Sequence, residues 1–357
     1  MNKTVRLFCA LLPIAASAYA YGLDAYFFTY DKSNWNINAN DATNWTQLSK
    51  QFSGDDADTY LFKESVDEAT VKANKGKFRA FYISGTQSGT VPSASSDVYF
   101  ARFGFAGDDG SAPTSITGCS DVKFTSGFVA NNMYTRNHGT AKFNFSGGDV
   151  SLDVNNMTIG YTTNAYFIKT NAGDVAKISV AGKLAYNGGD GIFSIGTASS
   201  FFDEVSIGSF TNSIGKDGTK FSIAAKKFTS GATSFVRADK GYGMDVTLFI
   251  GDVIEGDTVY SLGETIKAAE RKITLDFSAL DAESLANGDY GILEISAAST
   301  GFTGVLAEDF DIVGLAGGTL SWNGSNLTLS VVPEPAEVAA LLGVAALAFA
   351  AYRRRRG

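Results

Sequence analysis

The segment Val150-Ser151-Leu152-Asp153-Val154 decides the fold class, because apolar and polar residues alternate strictly along it. Successive side chains of a β-strand point to opposite faces, so the three apolar residues share one face. Helical periodicity is nearly absent from the rest of the chain, which favours many short strands. The same period of two recurs at Phe143 and Phe145, Ile178 and Val180, Val205 and Ile207, Phe221 and Ile223, Val246 to Ile250, Ile273 to Phe277, and Leu327 to Val331. The sequence therefore predicts an all-β protein.

Glycine-rich turn clusters separate these strands. The chain contains 39 glycines and only 5 prolines, and clusters such as Ser146–Asp149 and Asn187–Gly191 lie between alternating segments. Several strands end in an apolar residue followed by glycine, as at Ile159-Gly160 and Ile250-Gly251. A parallel β-helix uses this pattern, since each coil stacks its inward side chains on the coil below. We predict a glycine-rich β-solenoid for the body, with a β-sandwich or stacked sheets as the alternative.

Composition divides the chain into four segments, and the second and third form the folded part. Residues 21–110 are rich in aromatic residues and residues 111–331 carry the β-repeat pattern. We interpret the aromatic segment as an N-terminal cap, because the open end of a strand stack must be covered. The alternative is a carbohydrate platform, in which sugar rings stack on Trp35 and Trp45.

Residues 1–20 have the features of a signal peptide. Lys3 and Arg6 precede a short apolar core, and Ala18 and Ala20 flank Tyr19 in a small-x-small cleavage pattern. We predict transport through the Sec translocon and removal of the segment by signal peptidase.

Residues 332–357 contain three elements in a fixed order. Val332 is followed by Pro333-Glu334-Pro335, then by an apolar run from Ala336 to Tyr352, and then by Arg353, Arg354, Arg355 and Arg356. The prolines favour an extended, accessible peptide. The apolar run would be about 25 Å long as a helix, near the lower limit for spanning a bilayer. Arginines favour the cytoplasmic side, so we predict a C-terminal transmembrane helix with a basic membrane stop. A plain C-terminal anchor is the alternative.

This tripartite segment resembles the PEP-CTERM sorting signal of Gram-negative bacteria with exopolysaccharide-rich envelopes. The resemblance implies that an exosortase recognises Val332, Pro333, Glu334 and Pro335 as substrate residues and removes the tail. It also implies transient anchoring in the inner membrane, followed by release or attachment at the cell surface. In the body, Trp35 and Asn44-Trp45-Thr46 resemble the opening of autotransporter-type passenger repeats.

The charge balance argues against nucleic acid as a partner. The formal net charge is −8, and without the six basic and two acidic residues of the two terminal segments it is about −12. Cys119 is the only cysteine outside the signal peptide, so the sequence predicts no internal disulfide.

Catalytic motifs are scarce. His138 is the only histidine, which excludes a multi-histidine zinc site, and we predict no catalytic residue, no metal and no cofactor. Acidic pairs occur at Asp55-Asp56, Asp108-Asp109 and Asp203-Glu204. An exported polysaccharide lyase or glycoside hydrolase using carboxylates is therefore the alternative to a non-enzymatic surface protein with a structural, adhesive, exopolysaccharide-associated role.

The strand pattern breaks between Leu262 and Gly291. Ser261 to Glu264 fits a capping box, so we predict a short helix over Glu264–Lys272. A second helical turn is predicted over Asp281–Asn287, with Gly288 as its cap.

Overall fold

The structure is a computed structural model that describes residues 25–28, 36–51, 83–87, 89–101, 121–136, 140–160, 164–188, 191–332, 343–348, 352 and 354. In chain order its strands are β1 (Ala25–Phe28), β2 (Asn36–Asn38), β3 (Trp45–Gln51), β4 (Ile83–Gln87), β5 (Asp97–Ala101), β6 (Asp121–Phe124), β7 (Phe128–Arg136), β8 (Thr140–Phe145), β9 (Asp149–Gly160), β10 (Asn164–Lys169), β11 (Val175–Asn187), β12 (Ile192–Ile195), β13 (Glu204–Asn212), β14 (Thr219–Ala224), β15 (Phe228–Ser234), β16 (Val236–Arg237), β17 (Tyr242–Phe249), β18 (Thr258–Leu262), β19 (Thr265–Ile266), β20 (Ile273–Asp276), β21 (Gly288–Ile295), β22 (Phe310–Val313), β23 (Thr319–Trp322) and β24 (Asn326–Val331).

These strands form two sheets between which the chain alternates. The first sheet has the order β23-β24-β21-β18-β15-β13-β11-β9-β7-β5-β1-β3-β4, and the second has the order β2-β6-β8-β10-β12-β14-β17-β20-β22. Pairing is parallel from β5 to β21 in the first sheet and throughout the path of the second. The predicted β-solenoid is thus confirmed, and the sandwich alternative is wrong. The most regular part, from β7 to β17, makes about five turns.

The inward faces of the two sheets form one core. Val150, Leu152 and Val154 are all buried, as their alternation predicts. Phenylalanines of successive coils stack along the solenoid axis. The ring centroids of Phe143 and Phe167 lie 4.8 Å apart, close to the spacing of adjacent strands. The aromatic content of the sequence is therefore used largely to fill the core.

Strand β11 of the first sheet changes register in mid-strand, and glycines of successive coils line this bend. The pairing registers of β11 with β9 and with β13 both shift after Val180. Gly182, Gly208, Gly231 and Gly263 stack at this position in successive coils, and a Cβ on each would overlap backbone oxygen of the coil before it. The bend requires this close approach of backbones, which only glycine permits.

An asparagine column occupies the same bend in the earlier coils. Asn156 Nδ2 donates to Asn132 Oδ1 (2.9 Å), 24 residues earlier, and Asn132 Nδ2 donates to Asp97 Oδ1 (2.6 Å). The Lys183 amide continues the column by donating to Asn156 Oδ1 (2.9 Å). Side-chain hydrogen bonds thus hold the coils together where the strand ladder is interrupted.

Antiparallel strands terminate the first sheet. At one end β1 pairs with β3 and β3 with β4, and at the other end β21 pairs with β24 and β24 with β23. Trp45 begins β3 and is fully buried, with its ring stacked on Phe128 at 5.6 Å and its Nε1 donating to Ala39 O. Trp45 is therefore a core residue and offers no platform for a sugar; Trp35 lies outside the described residues.

The helix predicted over Glu264–Lys272 is wrong. Thr265 and Ile266 form β19, which pairs with β15 and extends the coil beyond the glycine bend. Both residues are β-branched and Thr265 is fully buried, so continued pairing outweighs the capping-box signal. The second predicted helix is only a 3-10 turn over Ala282–Ser284, and Gly288 begins β21. The body also contains a one-turn helix α1 (Leu306–Asp309) and a 3-10 turn at Ala42–Asn44.

The terminal segments are described only in part. Ala18, Ala20, Pro333, Glu334, Pro335, Arg353, Arg355 and Arg356 lie outside the described residues, as do Cys119 and His138. Val332 is exposed directly after β24, and residues 343–348 and Arg354 are helical. Within the part of the chain that the structure describes, no helix combines the length and apolar character needed to cross a membrane.

Candidate functional site

A groove runs along the outer face of the second sheet, across four neighbouring strands, β10, β12, β14 and β17. Its volume is about 400 Å³, and its direction is that of the solenoid axis. Three strand spacings of about 4.8 Å give it a length of about 14 Å. Each of the four coils contributes between one and five lining residues, so the groove is a product of coil stacking.

Hydroxyl groups form the floor of the groove. Tyr166, Ser194, Ser222 and Thr247 occupy the same register position on the four strands. The Ser222 hydroxyl donates to the Ser194 oxygen (3.0 Å), and the Ser194 hydroxyl donates to the Gly196 carbonyl (3.0 Å). The two serine protons are thus used inside the protein, and the half-buried Ser222 keeps an oxygen lone pair available at the floor, whereas Ser194 is buried.

Phe249 and the turn at residues 196–198 form one wall. Gly196 starts this turn with a φ of +72°, and a Cβ there would lie 2.5 Å from Ala224 O. Glycine is required for both reasons. At this turn the chain leaves the sheet after β12. Phe249 belongs to β17, two strands away from β12, and its side chain is half-buried.

The opposite wall consists of Ile192, Lys220 and Asp245, which share one register position on adjacent strands. The Asp245 carboxylate accepts from the Arg271 guanidinium, whose Nη2 also contacts Asp217 Oδ2 at 2.5 Å. The formal charges around the groove cancel, because two basic side chains face two carboxylates. The wall therefore offers an exposed ammonium and an acceptor oxygen without a net local charge.

The groove contains one carboxylate, which does not match the two converging acids of a glycosidase. Asp203 and Glu204, the only predicted acidic pair within the described residues, lie in ion pairs outside the groove. Glu204 contacts Lys177 at 3.2 Å, and Asp203 contacts Lys169 and Lys226. Asp55-Asp56 and Asp108-Asp109 lie outside the described part of the chain. Among the described residues, no group of three or more His, Cys, Asp or Glu side chains has a geometry for holding a metal.

The Asp203 cluster joins the coils next to the groove. Lys169 Nζ is almost completely buried, 2.9 Å from Asp203 Oδ2, and the Ala176 amide donates to the same oxygen. Burial opposes ionisation of Asp203, but the Ala176 amide and the ammoniums of Lys169 and Lys226 together hold the pKa of its carboxyl below the usual range. Asp203 is therefore a charged structural residue.

Asp203→Asn is expected to lower the free energy of unfolding at pH 7 by about 2 kcal/mol, because Lys169 remains buried without its counter-charge. A carboxyl with a depressed folded pKa stabilises above its unfolded pKa of about 3.9, and this contribution is lost as the pH falls through the folded pKa. The difference in the free energy of unfolding between the native and variant proteins, measured with urea, should shrink as the pH falls from about 5 through the folded pKa. Glu204→Gln, at an exposed pair, should change stability little at neutral or acidic pH.

Sequence reasoning did not find the groove. Its side chains come from four coils, and hydrogen-bonded partners such as Ser194 and Ser222 are 28 residues apart. The available signal was the set of small hydroxyl residues at outward positions of successive strands, which becomes visible only when the register is known. Of the predicted site residues in the described part, Val332 and Arg354 are exposed and neither lines the groove.

Comparisons with known proteins give no relative for this architecture: no family model, no curated protein and no solved structure matches the chain.

Proposed function

We propose that this protein is exported to the cell surface or extracellular matrix, where its β-solenoid has a structural and adhesive, exopolysaccharide-associated role without catalysis. The observation that carries the proposal is the order Pro333-Glu334-Pro335, apolar run and arginine cluster. In this proposal the apolar run holds the chain in the inner membrane until an exosortase removes it. The signal peptide delivers the chain to the Sec translocon and signal peptidase.

The properties of the body support this role. Its acidic balance suits a soluble, extracellular surface and disfavours nucleic acid. Parallel pairing and a continuous aromatic core stabilise an elongated fold without disulfides. The acidic residues of the predicted Asp203-Glu204 pair are engaged with lysines, which favours a binding protein over an enzyme.

Mass spectrometry of the protein isolated from its own bacterium tests the proposal. The mature chain should begin near Tyr21, end near Pro333–Pro335, and lack the arginine tail. The double variant Pro333→Ala/Pro335→Ala is expected to retain the tail and accumulate in the inner membrane, because the extended recognition peptide is lost. Glu337→Ala, which changes a nearby acidic residue outside the motif, should be processed normally.

An intact chain in the cytosol, with both its first and last residues, would overturn the proposal. Release of reducing sugar from polysaccharides by the processed protein would overturn its non-catalytic part. Such turnover should then be lost when Asp245 is replaced by Asn, since Asp245 is the carboxylate of the groove.

A further inference from the structure

We propose that the groove across β10, β12, β14 and β17 binds a neutral polysaccharide chain of hexose units. The inference rests on the proposed matrix role and assigns the ligand-binding surface within it. Four properties of the groove favour this ligand: its hydrogen-bonding groups, its apolar surfaces, its charge and its direction.

The acceptor oxygens of the groove favour a ligand that carries many hydrogen-bond donors. Ser222 donates to Ser194, and Ser194 donates to the Gly196 carbonyl, so the proton of Ser222 is used and its half-buried oxygen is left to accept from a ligand, while Ser194 is buried beneath it. Thr247 continues the hydroxyl row on the next strand, and the exposed Asp245 carboxylate adds a further acceptor in the adjacent wall. A sugar carries several hydroxyl donors spaced along one edge, and it would satisfy such a row better than an acyl chain or an anionic ligand would.

Apolar surfaces lie on both sides of the hydroxyl row. Ile192 and Phe249 lie in the two opposite walls, and the ring of Tyr166 forms the end of the hydroxyl row; all three residues are half-buried. Sugar rings present C–H faces that pack on aromatic and aliphatic surfaces, while their hydroxyl edges remain available for hydrogen bonds. The combination of a polar floor with apolar walls matches this amphipathic ligand.

Charge favours a neutral ligand. Lys220 and Asp245 are adjacent across β14 and β17, and Arg271 shares its guanidinium between Asp245 and Asp217. The groove therefore has no local excess of positive charge, and the body around it is acidic. A uronic acid polymer would be repelled by this field, whereas an uncharged hexose chain would not.

The direction of the groove favours a polymer over a single sugar. The outward hydroxyl row continues beyond β17, because Thr247 pairs with Thr274 of β20. A linear chain lying along the solenoid axis can follow this row and extend past the groove.

Titration calorimetry of the processed protein with cellohexaose and maltohexaose tests the proposal. At least one of these neutral oligosaccharides should bind. Phe249→Ala is expected to weaken binding about tenfold through loss of one packed ring, and Ser222→Ala about fivefold through loss of one hydrogen-bonding group. Ser206→Ala is the matched control, since Ser206 belongs to an equivalent outward hydroxyl row of the first sheet, with Ser179 and Thr229.

The outcomes are distinct. Weakening by both groove variants with unchanged binding by Ser206→Ala supports the proposal. Equal binding by native protein and all three variants overturns it, as does binding of polygalacturonate alone or of no oligosaccharide. Melting temperatures of the variants must match the native value, and Ser222→Ala keeps the test valid if Phe249→Ala unfolds. Failure of the proposed function would instead show as cytosolic protein with intact termini, whatever the groove binds.

Discussion

Gly231→Ala is expected to lower the free energy of unfolding by about 3 kcal/mol. The added Cβ would overlap the carbonyl oxygen of Gly208 in the preceding coil and approach the carbonyl carbon behind it at 3.2 Å. Both partners are backbone atoms fixed in parallel ladders, so neither can rotate away as a side chain would. The overlap can be relieved only if the two coils separate at the bend, and this separation also breaks core contacts. Urea unfolding followed by circular dichroism measures the loss.

Gly173→Ala is the matched control. Gly173 lies in a turn between β10 and β11, has no neighbouring atom within 4 Å of an added Cβ, and is not among the glycines with positive φ. The same substitution there should leave stability unchanged or raise it by up to about 1 kcal/mol, because alanine restricts the unfolded chain. Equal stability of the two variants would mean that the coils do not approach closely at Gly208 and Gly231.

Much of the fold could be predicted from the sequence, because a strand with one buried face shows its period directly. The alternation in Val150–Val154 gave the correct inward face, and the glycine-rich punctuation indicated stacked coils. The arrangement of coils was less accessible, since parallel register depends on residues more than 20 positions apart, such as Asn132 and Asn156. The glycine column is an example: Gly208 and Gly231 are ordinary glycines until the register stacks them.

The wrong helix over Glu264–Lys272 has a specific physical cause. A capping box reports only local hydrogen-bonding capacity, and the coil offered Thr265 and Ile266 a complete parallel partner in β15. Arg271 and Lys272, the basic residues at the end of this predicted helix, instead form ion pairs with aspartates. Lys267 Nζ donates to Arg271 O (2.7 Å), and the Arg271 guanidinium turns toward the groove. Tertiary partners thus outweighed the local signal.

The candidate site was less predictable than the fold. Hydroxyl residues at outward strand positions look like ordinary solvent-facing residues, and Ser194, Ser222 and Thr247 gain meaning only as a row. Residues 332–357 differ in that their three elements are contiguous and can be recognised without a fold; the sorting role assigned to them stays a prediction. Sequence reasoning was least suited to the surface that the coils build together.

Asp309→Asn is expected to lower the free energy of unfolding by about 3 kcal/mol. Asp309 is completely buried at the end of α1, beneath β23, and its carboxylate accepts three hydrogen bonds. The donors are Thr303 N (2.9 Å), Gly304 N (2.8 Å) and Trp322 Nε1 (2.9 Å). An asparagine has the same shape but only one acceptor oxygen, so at least one of these donors faces an NH₂ group.

The variant also removes a counter-charge from Lys267. The Lys267 ammonium is buried, with Nζ 3.9 Å from Asp309 Oδ1 and 5.2 Å from the centre of the Phe302 ring. Burial lowers the pKa of Lys267, and the negative charge of Asp309 opposes that shift. Without Asp309 the folded state binds fewer protons at Lys267 than the unfolded state does. The stability of the variant should therefore rise as the pH is raised toward about 10, where unfolded lysine titrates.

Asp239→Asn provides the comparison, because Asp239 pairs with Arg237 at the surface and its side chain is 62% exposed. Loss of that pair should cost less than about 1 kcal/mol, and the rise in stability at high pH should be no larger than in the native protein, because Asp309 still opposes the pKa shift of Lys267. Similar losses for the two variants would mean that the packing of the C-terminal strands β23 and β24 does not depend on Asp309.

If the prediction holds, Asp309 fixes Trp322 on β23, and β23 pairs with β24, the strand that ends at Val331. Loosening these strands should then expose the strand that leads into the proposed sorting segment, and limited proteolysis of Asp309→Asn should cleave first near β23 and β24.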